Sequence, residues 1–239
     1  YATLTNSNFD LDYFVDINLR AGGMNVKAMQ LLKQAHFDNY GVPEPTEVQT
    51  GTVAGPGILV TGHSLKALEE LLKQTEGTGV NIYTHSEMLP AHGYPELKKY
   101  KHLVGNLGRA WFDQKRLFAE SNLVVIAFGN CVLIPKEVYQ DRLYCLGVAG
   151  VPGAKRIDNF DFSQAIDHAK SLDPLPDEPG QTTLTTGFSA QAVLGLADQI
   201  KDAVTSGKLR HCFVVGGCDA PGKDGNYYRE FVKNTPDDT

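Results

Sequence analysis

Apolar positions along this 239-residue chain fall into two periods, separated by stretches that glycine and proline break up. Residues 1–39 carry helical spacing. Leu11, Phe14, Val15, Ile17 and Leu19 precede Gly22-Gly23, and Val26, Met29, Leu31 and Leu32 follow it, which predicts one or two helices. Three prolines and four glycines between Tyr40 and Gly57 predict a linker or surface loop. Gly57–Thr61 is a short β-branched run that predicts a strand ending at Gly62-His63. Ser64 then caps a helix whose apolar face is Leu65, Leu68, Leu71 and Leu72, and Gly77 and Gly79 end it. Val80–Tyr83 is a second strand. From Pro95 to Phe118 the pattern predicts helices with a turn near Gly105-Asn106.

Leu123–Phe128 is a continuous apolar run, suited to a parallel sheet buried on both faces. Leu143–Leu146 predicts another strand before the Gly147–Gly153 turn. Phe162–Ser171 reads as a helix capped by Asp161 or Ser163. Asp173–Gly180 holds three prolines and three acidic residues and marks a boundary. Beyond it, Gln191–Ser206 predicts an amphipathic helix, His211–Val215 a strand and Tyr227–Lys233 a further helix. The fold class is therefore α/β: a Rossmann-like parallel-sheet domain preceded by helices and followed by the start of a second Rossmann-like domain. The domains are a helical segment and linker over residues 1–50, the Rossmann-like domain over 51–175, and the partial second one over 176–239.

Composition changes this picture little. Charged residues make up 21% and hydrophobic ones 42%, as in an ordinary globular chain long enough to bury a sizeable core. A net charge of −6 gives no reason to expect nucleic acid or an anionic membrane as partner. No run approaches the roughly 18 apolar residues of a membrane span. Cys131, Cys145, Cys212 and Cys218 are too scattered for a disulfide scaffold and fit a reducing, cytoplasmic setting. The chain opens on Tyr1 and closes on Thr239, which reads as a fragment of a longer protein.

Chemistry gathers where strands end. His63, Glu87, Cys131 and Cys218 each follow an apolar run, and glycine or Gly-Asn directly precedes three of them. Ligands of open α/β sheets sit outside the carboxyl ends of the strands, so His63 and Glu87 are expected on one edge. All four are expected to converge. A mixed imidazole, carboxylate and thiolate set suits zinc or an iron–sulfur assembly with oxygen donors, and spacing alone leaves both open. Cys145 and Cys212 read as small buried hydrophobes. His85 and His92 flank Glu87 and read as surface or hydrogen-bonded histidines, with proton carriage beside the site as the sharper alternative. Trp111 reads as core, and packing accounts for Tyr227–Glu230.

The stretches ILVTGH, VNIYTHSEMLPAHGYPELKKY, GNCVLIPKEVYQDRLY and RHCFVVGGCDAPGKDGNYYREF resemble the hybrid cluster protein family, also called prismane or hydroxylamine reductase. The resemblance covers roughly residues 25–239. It implies Rossmann-like domains behind a helical one, with a hybrid iron–sulfur–oxygen cluster at their interface. It implies His63, Glu87, Cys131 and Cys218 as metal ligands, the Cys218 sulfur as a persulfide site, and Asn130 as a hydrogen-bond donor beside the cluster. The family's N-terminal cysteine motif and its later ligands are absent. The ligand set is therefore incomplete in this chain, and a second iron–sulfur cluster is expected only on the full-length parent. Phe128-Gly129 also departs from the Thr or Ser usual before Asn-Cys.

The expected function is that of a fragment of an oxidoreductase. It would reduce hydroxylamine to ammonia, or nitric oxide to nitrous oxide, with an electron-donor reductase as partner. The isolated fragment is expected to be inactive. Two alternatives come from other classes: a carbon monoxide dehydrogenase-like enzyme, in which a cysteine stands where Glu87 stands, and a non-catalytic truncated α/β module.

Overall fold

The computed structural model describes residues 10–239 apart from Arg109, Asn130, Cys131, Ala149 and Lys223. It divides into two compact units, Tyr1–Val42 and Pro43–Thr239. The first is built on α1 (Leu11–Tyr40), a single helix that runs unbroken through Gly22-Gly23. Each glycine costs about 1 kcal/mol against alanine, which good helix formers on either side carry. Asp10 Oδ1 accepts the Asp12 amide at 3.1 Å to open the helix. Gly41, at φ +82°, closes it by donating to the Phe37 carbonyl at 3.0 Å.

The second unit holds six parallel strands: β2 (Gly57–Gly62), β3 (Asn81–Thr84), β4 (Leu103–Asn106), β5 (Val124–Phe128), β6 (Leu143–Leu146) and β7 (Lys155–Ile157). Their order is β4-β3-β2-β5-β6-β7. From β2 the chain steps outward through β3 and β4, then returns to β2's other side as β5 and steps outward again. That is the doubly wound Rossmann-like α/β arrangement, with its switch point between β2 and β5. Every residue of β2 and β5 is buried, as continuous apolar runs in a sheet covered on both faces require.

Between β2 and β3 lies α2 (Leu65–Thr75), opened by Ser64 Oγ, which accepts the Ala67 amide at 3.1 Å. Leu68, Leu71 and Leu72 are fully buried beneath it. On one face of the sheet Leu59, Tyr83, Val125 and Leu143 pack with Phe118 and Tyr139. Phe118 comes from α4 (Gln114–Glu120), which follows the short α3 (Pro95–Lys98), and Tyr139 from the turn α5 (Glu137–Gln140). The buried Arg142 guanidinium donates to the Leu123 and Phe118 carbonyls at 2.7 and 3.0 Å, tying α4 to the sheet. The helix α6 (Ser163–Ser171) covers β2 and β5, and Asp161 Oδ1 accepts the Ser163 amide at its start.

Four expectations are corrected. The stretch from Tyr40 to Gly57 contains β1 (Thr46–Gln49), paired antiparallel with β8 (Thr183–Thr186); isolated bridges Thr52↔Glu178 and Gly55↔Leu175 continue that ribbon. Backbone pairing with a distant segment, which local composition does not encode, makes this strand. Gly105-Asn106 is not a turn between helices but the end of β4, paired to β3 with a bulge between Ile82 and Tyr83. His211–Val215 is not a strand. Among the described residues it has no ladder partner, the His211 amide donates to the Asp238 carbonyl, and Val214 is 97% exposed. Beyond β8 the helical stretch is also split, into α7 (Ala190–Leu194) and α8 (Ala197–Thr205) around Gly195, before α9 (Tyr227–Lys233).

Candidate functional site

The crevice at the switch point is framed by the last residues of β2 and β5. Gly62 and Phe128 are register partners, and the His63 amide donates to the Phe128 carbonyl at 3.1 Å. Gly62 sits at φ +113°, and a Cβ there would strike that carbonyl. Glycine alone lets β2 turn out beside β5 at this point, and the turn delivers His63 to the sheet edge.

Glu87 reaches the same edge from the neighbouring strand. Val60 and Thr84 are register partners, so β3 ends two residues before β2 does at Gly62. His85 stays tied to the sheet, its amide donating to the Val60 carbonyl at 2.8 Å. Ser86 then takes a left-handed backbone, φ +53°, and a 3-10 segment (Ser86–Gly93) begins. The reversal brings a Glu87 carboxylate oxygen (Oε2) into direct contact with His63 Nε2. Both side chains remain 44% exposed, so the pair opens to solvent on its outer side. An imidazole nitrogen and a carboxylate oxygen in contact at an accessible strand edge are two of the donor types that hold zinc or iron.

Two histidines beside the pair are buried instead. His85 Nδ1 lies 3.1 Å from Thr61 Oγ1, its ring edge-on to Phe118, and its Nε2 has no partner among the described residues. His92 Nε2 lies 2.8 Å from Thr84 Oγ1. Burial pushes each pKa down to about 4, so both rings are neutral at physiological pH. They are interior residues of the sheet end, not surface groups. Thr61, Thr84 and Asn106 are the buried polar partners at this end that the sequence pattern passes over; Asn106 Nδ2 donates to Thr84 Oγ1 at 2.9 Å. The one visible signal is a polar residue closing an otherwise apolar strand.

Asn130 and Cys131 lie outside the described residues. Cys218 is exposed, in the loop before α9. That loop is fixed by Asp219 Oδ1, which accepts the Tyr228 amide at 2.9 Å, and by the Ala220 amide donating to Gly225. Among the described residues no three His, Cys, Asp or Glu side chains gather to hold a metal. Among the described residues the segment after β8 contributes no strand to the sheet. Cys145 is buried in β6, and burial raises its thiol pKa. Cys212, expected in a core strand, is exposed, for the reason that leaves residues 211–215 unpaired.

Comparison with known proteins places this geometry. A family model described as the Prismane/CO dehydrogenase family matches residues 1–239. The chain is 59% identical over 239 residues to a hydroxylamine reductase of Thermotoga maritima, covering 100% of this chain and 56% of that protein. It is 56% identical to the hydroxylamine reductases of Methanothermobacter thermautotrophicus and Moorella thermoacetica, again covering 100% of this chain and 56% of each relative. The chain thus spans about half the length of the relatives it matches. Among the described residues no helix is long and apolar enough to cross a membrane.

Proposed function

The chain belongs to the Prismane/CO dehydrogenase family, and from that premise we propose that it is the portion of a hydroxylamine reductase that supplies part of a hybrid iron–sulfur–oxygen site. The carrying observation is the His63–Glu87 contact beyond the carboxyl ends of β2 and β3, beside the β2/β5 switch point, the edge where α/β sheets bind their ligands. The donor chemistry fits the group: an imidazole nitrogen and a hard carboxylate oxygen stand side by side, half-exposed. His63 and Glu87 would hold one iron, Cys131 and Cys218 would bring thiolates, and the Asn130 amide would donate a hydrogen bond beside them. A bound cluster supplies a Lewis-acidic iron and a store of electrons.

Hydroxylamine reduction breaks the N–O bond, consumes a pair of electrons and two protons, and releases ammonia and water. Reduction of nitric oxide to nitrous oxide is the other reaction for this site. An electron-donor reductase supplies the electrons, and the setting is cytoplasmic. The names of the relatives favour hydroxylamine reduction over carbon monoxide oxidation, and the carboxylate at Glu87 favours a cluster with oxygen donors over an all-sulfide one.

The test is a chimera in which residues 1–239 replace the matching stretch of the Thermotoga maritima relative. Anaerobically purified, it should hold iron and form ammonia from hydroxylamine. A chimera that folds, binds iron and makes no ammonia would refute the reaction; one that folds without iron would refute the site.

A further inference from the structure

Side chains buried at the sheet end close the backbone that carries Glu87 into a loop. Thr84 ends β3, Asn106 ends β4, and the two are register partners. Because Asn106 Nδ2 donates to Thr84 Oγ1 at 2.9 Å, that oxygen is an acceptor there. The Thr84 hydroxyl proton then goes to His92 Nε2 at 2.8 Å, since the Gly105 carbonyl lies farther away at 3.5 Å. The polarity of the chain is fixed in one direction, and it requires the Nδ1–H tautomer of a neutral His92. All three side chains are at most 5% exposed.

We infer that His92, acting through Thr84 and Asn106, is the positioning residue that holds Glu87 against His63. The near end of the loop is already anchored: His85 is bonded to Val60, and the Met88 amide donates to the His85 carbonyl at 3.2 Å. Met88 and Ala91 are buried, whereas Glu87 faces outward. The left-handed Ser86 that turns Glu87 toward His63 is a conformation costing about 1–3 kcal/mol, which persists only where its surroundings hold it. His92 supplies the hold at the far end. An apolar residue of similar size would fill the space but would not fix the ring or the loop in one orientation, which a directional hydrogen-bond chain does. The geometry stands without the reading of Glu87 as a metal ligand; its consequence for metal binding rests on that reading.

The test uses the 239-residue chain. Nitrogen-15 NMR of the imidazoles should show His92 with a protonated Nδ1 and a bare Nε2, and a proton–proton Overhauser contact should join the His63 ring to the Glu87 side chain. His92→Leu should lose that contact while circular dichroism and cooperative unfolding persist, and should weaken Co2+ binding about ten-fold or more. His92→Gln, whose side-chain oxygen falls near the Nε2 position, should regain most of both. Thr84→Val removes the hydroxyl alone and stands in if His92→Leu fails to fold. An Nε2–H tautomer in the wild-type chain, or an unchanged contact in the folded variant, would overturn the positioning role. Co2+ binding no tighter in wild type than in Glu87→Ala would instead sink the ligand reading, and the tautomer and the contact would still decide His92.

Discussion

Gly62 and Phe128 close β2 and β5 as register partners, and the space between them is too small for a side chain: a Cβ on Gly62 would meet the Phe128 carbonyl oxygen and carbon. The backbone of Gly62 is also in a region that side chains disfavour, at φ +113°. Gly62→Ala should therefore destabilise the chain by more than about 1 kcal/mol, because strain and collision act together. A urea melt measures it. An unshifted midpoint would mean that β2 leaves the sheet some other way.

Glu87 separates the two metalloenzyme readings. In the chimera with the Thermotoga maritima relative, Glu87→Ala should lose hydroxylamine reduction and iron together, because no donor is left beside His63. Glu87→Cys should lose turnover but keep more iron, since a thiolate still binds iron while disfavouring oxygen-bridged chemistry. Iron per chain and ammonia formed are read on both variants. Near-wild-type turnover in Glu87→Ala would return Glu87 to the status of a loop residue.

Acid should weaken the fold through the two buried histidines. His85 and His92 are neutral in the fold with pKa values of about 4, against about 6.5 when unfolded. The unfolded chain therefore binds more protons between those values. The stability that neutrality confers is whole above about pH 6.5 and is lost as the pH falls through about 4, on the order of 3 kcal/mol per histidine. Urea midpoints taken across that window should fall with pH. His92→Gln should flatten its share of the slope, and an equal slope in that variant would show that His92 does not titrate on unfolding.

Tyr83 is buried in β3, and its phenol oxygen accepts the Val53 amide at 2.8 Å. Tyr83→Phe keeps the ring in the core but leaves that partly buried N–H without its acceptor. The expected cost is about 1–3 kcal/mol by chemical denaturation. A neutral result would mean that water replaces the hydroxyl.

Thiol exposure is ordered by structure. Cys212 and Cys218 are exposed, while Cys145 is buried with a raised pKa. Brief alkylation of the native chain, read by peptide mass spectrometry, should modify Cys212 and Cys218 and spare Cys145 until denaturant is added. Fast labelling of Cys145 would contradict its place in β6.

Strands rich in apolar residues are legible in the sequence by itself. Gly57–Gly62, Val124–Phe128 and Leu143–Leu146 announce themselves because a sheet covered on both faces needs continuous apolar runs, and Ser64 announces the helix after β2. Those runs, with His63 just past the first and Glu87 just past the shorter run Val80–Tyr83, yield the α/β class and a candidate edge. The short strands Thr46–Gln49 and Leu103–Asn106 are not legible, because their partners, β8 and β3, make them strands. His211–Val215 fails for the converse reason: five suitable residues make no strand without a neighbour. Only the tertiary structure decides that β5 returns to the other side of β2, that Thr84 at the end of β3 pairs with Val60 of β2, and that Ser86 turns left-handed. Contact between His63 and Glu87 depends on all three, and no local pattern of residues encodes strand order or register.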